Sequence, residues 1–555
     1  MLMNNCNCKS HENLNILSRR TFLDRSVKLG LGVALSTLVD IPLVVKRALA
    51  EGNIGVPGPN GKVKKLLFIF LRGANDGLNS VVPILDSAYA TVRPTGGIGI
   101  PADAGTNYST LGQCDFPVSG TGPTFGYANA IRLGNGFAAL HPSLKFLAPV
   151  FNVGDLALIH RVGYPRQSRS HFDSQNYWET GNPNNNTSKD GILYRTMVES
   201  GLANAEPLTG VSIQSSLPLI LRGSQAAMTN LSDPSRYSLF GIPSSSTAAG
   251  TKLKTALTDA NNFPTADKNY RGLLNLQYKN LNDTLQTFAD LQDEFNETNG
   301  ITYMDDSATD NDFAYRLFPT SNANNGGYTR GGGVVDAQKY VVDTGAYGFF
   351  RNLRAAAVVL NKTDAIVAGT EFGGFDTHSN QGSVTGAHAN LQRRIGWALY
   401  ALRKYFTTYA DKASWDDVVV VTLSEFGRTT VQNSDVGTDH AEASVMFLAG
   451  GGVNGAVYGC HPTDTYNGQS VPWITGPANQ TGGVDGSMFG VSDRYLRRCM
   501  DYRSILGELI RDHLGATQNQ LNRIIPGYTV AGESLQNGGI CTIDNTRIAG
   551  ELNLV

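Results

Sequence analysis

Four continuous apolar runs punctuate the chain, and each stops at polar or glycine-rich sequence. Leu66-Leu67-Phe68-Ile69-Phe70-Leu71 follows Lys64-Lys65 and ends at Arg72-Gly73-Ala74-Asn75-Asp76-Gly77. Leu156-Ala157-Leu158-Ile159-His160 comes next and leads toward Ser170. Ala365-Ile366-Val367-Ala368-Gly369 precedes Gly373-Gly374-Phe375-Asp376-Thr377-His378, and Val418-Val419-Val420-Val421-Thr422-Leu423 precedes Ser424-Glu425-Phe426-Gly427-Arg428. Unbroken apolar runs of this length predict strands buried on both faces. Four of them, with polar sequence after each, predict an open α/β sheet that binds ligands at its carboxyl edge. Between strands, Leu391, Ile395, Leu399, Leu402 and Phe406 recur at helical spacing within 387–406.

Residues 182–340 read differently, rich in Asn, Ser, Thr and Gly. Inside them Leu274, Tyr278, Leu281, Leu285, Phe288 and Phe295 predict one long amphipathic helix from about Lys268 to Glu297. The expected organisation is therefore a first part of the core over 51–181, an inserted cap over 182–340, a second part over 341–527 and a loop-rich tail over 528–555.

The first fifty residues read as an address. Ser18-Arg19-Arg20-Thr21-Phe22-Leu23 matches the twin-arginine export pattern, an apolar stretch follows from Val27 to Val45, and Arg47-Ala48-Leu49-Ala50 offers a small-residue cleavage site. This predicts passage through the twin-arginine translocase, removal of residues 1–50 and a periplasmic or extracellular protein. No later segment approaches the roughly eighteen uninterrupted apolar residues of a membrane span. A formal net charge of -2 gives no electrostatic reason to expect a nucleic-acid partner. Cys114, Cys460, Cys499 and Cys541 remain after cleavage, an even number that allows one or two disulfides.

Candidate chemistry clusters after the strands. Ser170 stands where a helix would begin, and Arg166 and Arg169 before it could hold an oxyanion. As a plain N-cap, Ser170 would instead pair with Asp173 three residues on. Asp376 and His378 flank Thr377, so both can face one cation. Asp439-His440 follows a loop that can fold back to the same edge. Imidazole with carboxylate suits zinc, manganese or iron, and carboxylates alone suit magnesium or calcium. His141 and His160 read as supports of the fold.

The segments Phe70–Asn79, Arg169–Asp173, Gly374–His378, Ser424–Thr429 and Asp501-Tyr502-Arg503 together resemble the secreted domain-of-unknown-function 1501 family, over nearly all of the chain after residue 50. That family is grouped with the alkaline phosphatases and sulfatases. The resemblance implies a three-layer α/β/α sandwich of alkaline-phosphatase type with an inserted cap, and a divalent metal cofactor (zinc, manganese or calcium). It implies metal ligands among Asp76, His171, Asp376, His378, Glu425, Asp439 and His440, with Ser170, Arg169 and Arg166 as catalytic residues. Counted back from Thr180-Gly181, the nucleophile slot of the superfamily falls at His171, one residue after Ser170. Phe426 stands where the superfamily has a histidine ligand, and neither register carries the sulfatase signature. The expected activity is hydrolysis of a phosphate, phosphonate or sulfate ester on a small-molecule or polymer substrate by a serine nucleophile. The alternative is a non-catalytic exported member that binds a polysaccharide or a cell-surface partner.

Overall fold

The computed structural model describes residues 53–86, 88–102, 129–203, 208–226, 228–233, 248–261, 284–296, 300–305, 313–319, 328–330, 342, 344–466, 469–470, 495–529 and 535–555. The export segment and Cys114 lie outside them, as does most of the expected helix Lys268–Glu297; of that helix, 284–290 and Gln292–Phe295 are helical.

All four apolar runs form strands: β1 (Lys65–Leu71), β2 (Leu156–Gly163), β5 (Val367–Phe372) and β6 (Val418–Ser424). They join β3 (Gly210–Ile213), β4 (Thr229–Leu231), β7 (Ser444–Ala449), β8 (Val457–Tyr458) and β9 (Met500–Asp501) in a nine-stranded sheet of order β8-β2-β7-β6-β1-β5-β3-β4, with β9 also beside β2. The fold is thus mixed α/β around a mostly parallel sheet. Every pairing is parallel except those of β7, which runs against both β6 and β2. β3 and β4 belong to the segment expected as an inserted cap, so the sheet continues into that segment.

Alternate residues of β1 feed two cores, as a strand's two-residue period requires. Leu67, Ile69 and Leu71 pack with residues of α3 (Tyr347–Lys362) and α4 (Ala387–Thr408). Leu66, Phe68 and Phe70 pack on the other face with Trp178 of α1 (His171–Thr180), Leu193 of α2 (Ile192–Glu199) and Ile505 of α5 (Tyr502–Glu508). Gly369 sits beside Phe68 because any Cβ there would lie 2.3 Å from the Phe68 ring. Lys65, at the foot of β1, donates its ammonium to the carbonyls of Leu360 and Thr363, which end α3.

Register aligns the strand ends. Leu71 pairs with Phe372 on one side and with Ser424 on the other, so the three following loops leave the sheet side by side. β7 is antiparallel and therefore enters the sheet where the others leave it, with Ser444 opposite Val162 near the end of β2. That reversal brings Asp439 and His440, just before β7, to the same edge. No described helix is long and apolar enough to cross a membrane. Cys460, Cys499 and Cys541 are buried and free.

The chain's end is pinned through Glu508, whose carboxylate accepts the backbone N–H of Leu554 at 2.7 Å and that of Leu552. Burial pushes this carboxyl up to about 7. A raised folded-state value means the native protein holds the proton more tightly, so this group's contribution is complete below about pH 4.5 and is lost as pH rises to 7. Across that window Glu508→Gln should gain on the wild type, by at most about 3 kcal/mol, in urea unfolding compared at pH 5 and pH 7.5.

Candidate metal centre

The site grows from the aligned loops. After β1 the chain turns at Gly73 (φ 109), where a Cβ would meet the Asp376 backbone nitrogen at 2.6 Å, so glycine lets the loops after β1 and β5 touch. After β2, α1 begins with Ser170 as N-cap and ends at Gly181 in the left-handed conformation. His171 is its first residue. His378 follows β5, and His440 precedes β7, held against Arg428 by a β-bridge.

Three imidazoles converge there. His171 Nε2 lies 3.1 Å from His440 Nε2, which lies 2.9 Å from His378 Nε2. Asp376 completes the group: its Oδ1 is 3.1 Å from both His378 Nε2 and His440 Nε2, and its Oδ2 is 3.6 Å from His171 Nε2. His171, Asp376 and His440 each offer one ligand atom within 4.8 Å of the others. The opposite ring nitrogens all face acceptors. His440 Nδ1 is 2.9 Å from the Arg169 carbonyl, His378 Nδ1 is 3.3 Å from Asp439 Oδ1, and His171 Nδ1 is 3.5 Å from Glu425 Oε1. A carbonyl or carboxylate oxygen can only accept, so each Nδ1 can carry its proton there, which would leave each Nε2 lone pair available to a cation shared with Asp376. His440 Nε2 thus lies about 3 Å from each of the other two Nε2 atoms, and a layer of acceptors behind the Nδ1 atoms is the arrangement that orients metal-bound histidines.

Glu425 and Asp439 were expected as ligands, and the structure places both one step back, behind His171 and His378. Buried Glu425 also accepts the N–H groups of Gly73 and Ala74 and the amide of Gln175. Burial pushes its carboxyl up, but His171, the Gly73 N–H and Gln175 outweigh that and hold it below the usual range. Asp439 Oδ1 also accepts from Asn433 Nδ2 at 3.0 Å. Glu425 in turn holds the His171 pKa above its ordinary value, whereas burial pushes that of His440 down.

Asp76 is not brought into the group. Its carboxylate accepts two N–H bonds from Arg93, at 2.7 and 2.9 Å, and one from Gln381 at 2.7 Å, all fully buried. Burial alone would raise its pKa, yet Arg93 holds it low. Arg166 and Arg169 are exposed in the loop before α1, with the Arg169 guanidinium over the Tyr495 ring at 4.4 Å. The Ser170 hydroxyl accepts the Asp173 N–H at 3.5 Å, too long to be strong. Phe426 packs its ring on His171 and His440 at 4.8 and 4.7 Å between centroids. His141 and His160 are fully buried and face the carbonyls of Ser383 and Val81.

The residue that sequence reasoning left without a role is Arg428. Its buried guanidinium donates to the carbonyls of Ala74, Gly73, Phe375 and Thr438, and to Asp376 Oδ1. Three loops are tied by one side chain. Asp376 is held below the usual carboxylate range because Arg428 outweighs the opposing effect of burial. An arginine five residues after the last apolar position of β6 was visible in the sequence, but its partners come from segments far apart in the chain.

A family profile described as a protein of unknown function (DUF1501) matches residues 63–475, more than half of the chain. The chain belongs to the DUF1501 family. No curated protein and no solved structure matches it. In this DUF1501 protein the matched span contains the whole converging group, from His171 to His440.

Because Asp76 and Arg93 are both fully buried, removing one strands the other's charge. Arg93→Leu should cost about 3–5 kcal/mol in denaturant unfolding, and the double change Asp76→Leu/Arg93→Leu should recover much of it. A double variant no more stable than Arg93→Leu would show that the pair is not the reason for the loss.

Proposed function

We propose that this DUF1501 protein is an exported, metal-dependent hydrolase of phosphate, phosphonate or sulfate esters, on a three-layer α/β/α sandwich of alkaline-phosphatase type. The observation that carries this reading is the grouping of His171, Asp376 and His440, joined by His378 through its contacts with His440 and Asp376, with all three Nδ1 atoms facing acceptors. Three nitrogens and a carboxylate fit zinc or manganese better than calcium, which prefers oxygen. Bound there, a divalent ion would supply Lewis acidity to an ester oxygen.

The chain's own residues account for the rest. Asp439, Glu425 and the Arg169 carbonyl orient the three imidazoles, and Arg428 orients Asp376. His171 takes a ligand's place, which leaves the neighbouring Ser170 hydroxyl, at the amino end of α1, as the nucleophile. The helix's free N–H groups favour negative charge at that point. Arg169 and Arg166, both exposed on the preceding loop, can reach the non-bridging oxygens of an anionic ester. The attack would release the alcohol and leave a seryl ester for water to hydrolyse. Ser18-Arg19-Arg20 supports export through the twin-arginine translocase, to the periplasm or outside the cell.

One observation favours a non-catalytic exported member that binds a polysaccharide or surface partner. Asp76 is consumed by Arg93, and Phe426 replaces a ligand, so a single ligand group remains where phosphatases use more.

Metal analysis of the exported protein should find about one equivalent of transition metal, lost in Asp376→Ala/His440→Ala. Asp439→Ala should weaken metal affinity roughly 10- to 100-fold through His378. Absence of bound metal, with no uptake of added zinc or manganese, would falsify the reading. In the metal-loaded protein Ser170→Ala should cut ester turnover by roughly three orders of magnitude with metal content unchanged. Turnover that survives would reassign the attack to water, and metal with no turnover on any phosphate or sulfate ester would favour the binding protein.

A further inference from the structure

Beside the converging histidines, the carboxyl edge of the sheet opens into a cavity of about 590 Å³, within the size range of small-molecule sites. Three adjacent parallel strands deliver polar groups to it. Gln214 and Ser215 follow β3, Ser232 follows β4, and Glu371 lies near the end of β5. The helices over this face add Phe349 and Asn352 from α3 and Arg394 from α4. Gly373 also lines the cavity, three residues before Asp376, so at most about 11 Å of chain separates cavity and metal centre.

The lining has a particular chemistry. Glu371 and Arg394 balance in charge, which disfavours a polyanion. The apolar surface is confined to the stacked rings of Phe349 and Phe372, 4.5 Å apart at 23°, too little to hold an acyl chain. The remaining groups are two primary amides and two hydroxyls. Glu371 is fixed in place, accepting from Arg72 Nε at 3.1 Å and from Gln214 Nε2 at 3.4 Å. Gln214 Oε1 and Asn352 Oδ1 are buried without a hydrogen-bond partner among the described residues, a costly state that a hydroxyl donor relieves. Amides and a carboxylate, each with paired polar atoms, match adjacent hydroxyls, and an aromatic pair suits the C–H face of a pyranose ring.

We propose that this cavity is a subsite for an uncharged sugar unit, so that the ester handled at the metal centre is one carried by a carbohydrate. The position of the ester rests on the hydrolase reading; the sugar subsite does not. Gly373 offers a way to close the cavity, since a Cβ there meets nothing within 4 Å.

The test is saturation-transfer NMR on the exported protein with glucose, galactose, mannose, N-acetylglucosamine, cellobiose and maltose. Wild type is compared with Asn352→Ala and Gly373→Leu, each checked for unchanged circular dichroism and metal content. Transfer to at least one sugar is expected, reduced about fivefold or more in both variants. No transfer to any of the six, or equal transfer in wild type and both variants, overturns the subsite. Hydrolysis is then measured on phosphate and sulfate esters of the bound sugar and on p-nitrophenyl phosphate and sulfate. Gly373→Leu should raise KM for the sugar ester about tenfold while sparing the aryl esters. Sugar binding without hydrolysis of any ester would sink the hydrolase reading and leave the subsite standing, whereas hydrolysis indifferent to the sugar and to Gly373→Leu would sink the subsite alone.

Discussion

One buried guanidinium holds the carboxyl edge of this protein together. Arg428 spends its donors on four backbone carbonyls from three loops and on Asp376. Loop carbonyls at a sheet edge normally find water; here they are buried and would be left unsatisfied without a donor. A single arginine that answers several of them also fixes the separation of the loops, because its planar fork tolerates little variation. The positions of Asp376 and, through the Thr438 carbonyl and the β-bridge, of His440 follow from that constraint.

On this frame the imidazoles are prepared rather than merely near one another. Each has its outer nitrogen against an acceptor from a different element: the carbonyl before α1, the loop before β7, and the end of β6. Orientation by fixed partners removes most of the rotational freedom that metal binding would otherwise have to take away. The sheet contributes by topology. Strands β1, β5 and β6 leave at one edge, and the single reversed strand β7 returns its preceding loop to that edge. The cavity lined by Glu371 and Gly373 uses the same rule on the β3–β4 side, so the histidine cluster and the cavity occupy adjacent stretches of one strand-end surface.

Two carboxylates that a superfamily comparison would assign to metal serve other ends. Asp76 is neutralised by Arg93 inside the fold, and Glu425 supports a histidine while capping the turn at Gly73–Ala74. Both are charges removed from water and repaid by several charge-assisted hydrogen bonds. Phe426 packs its ring on His171 and His440, and the polar groups that converge are one cluster of four side chains.

The strands were legible in the residues themselves. Runs such as Leu66–Leu71 and Val418–Leu423 are too apolar to face water on either side, and an uninterrupted run has one stable place, inside a sheet. The start and stop of α1 were legible too, in Ser170 and Gly181, because caps are local chemistry. Strand β7 was not: Ser444–Ala449 looks like the other runs, and its direction depends on its neighbours β6 and β2. The division of the acidic residues into member of the histidine cluster, orienting partner and buried ion pair was equally hidden. Asp376, Asp439, Asp76 and Glu425 are alike in sequence, each a carboxylate beyond a strand or loop. Which one meets imidazole Nε2, which meets Nδ1 and which meets Arg93 is set by contacts across as many as several hundred residues. The sequence by itself determined four strands of the sheet, the helix boundaries at the site and the kinds of donor present, since these depend on local periodicity and composition. Only the tertiary structure decided strand direction, the partner of each carboxylate and the cavity beside Gly373, because those are properties of distances between segments that the chain order does not contain.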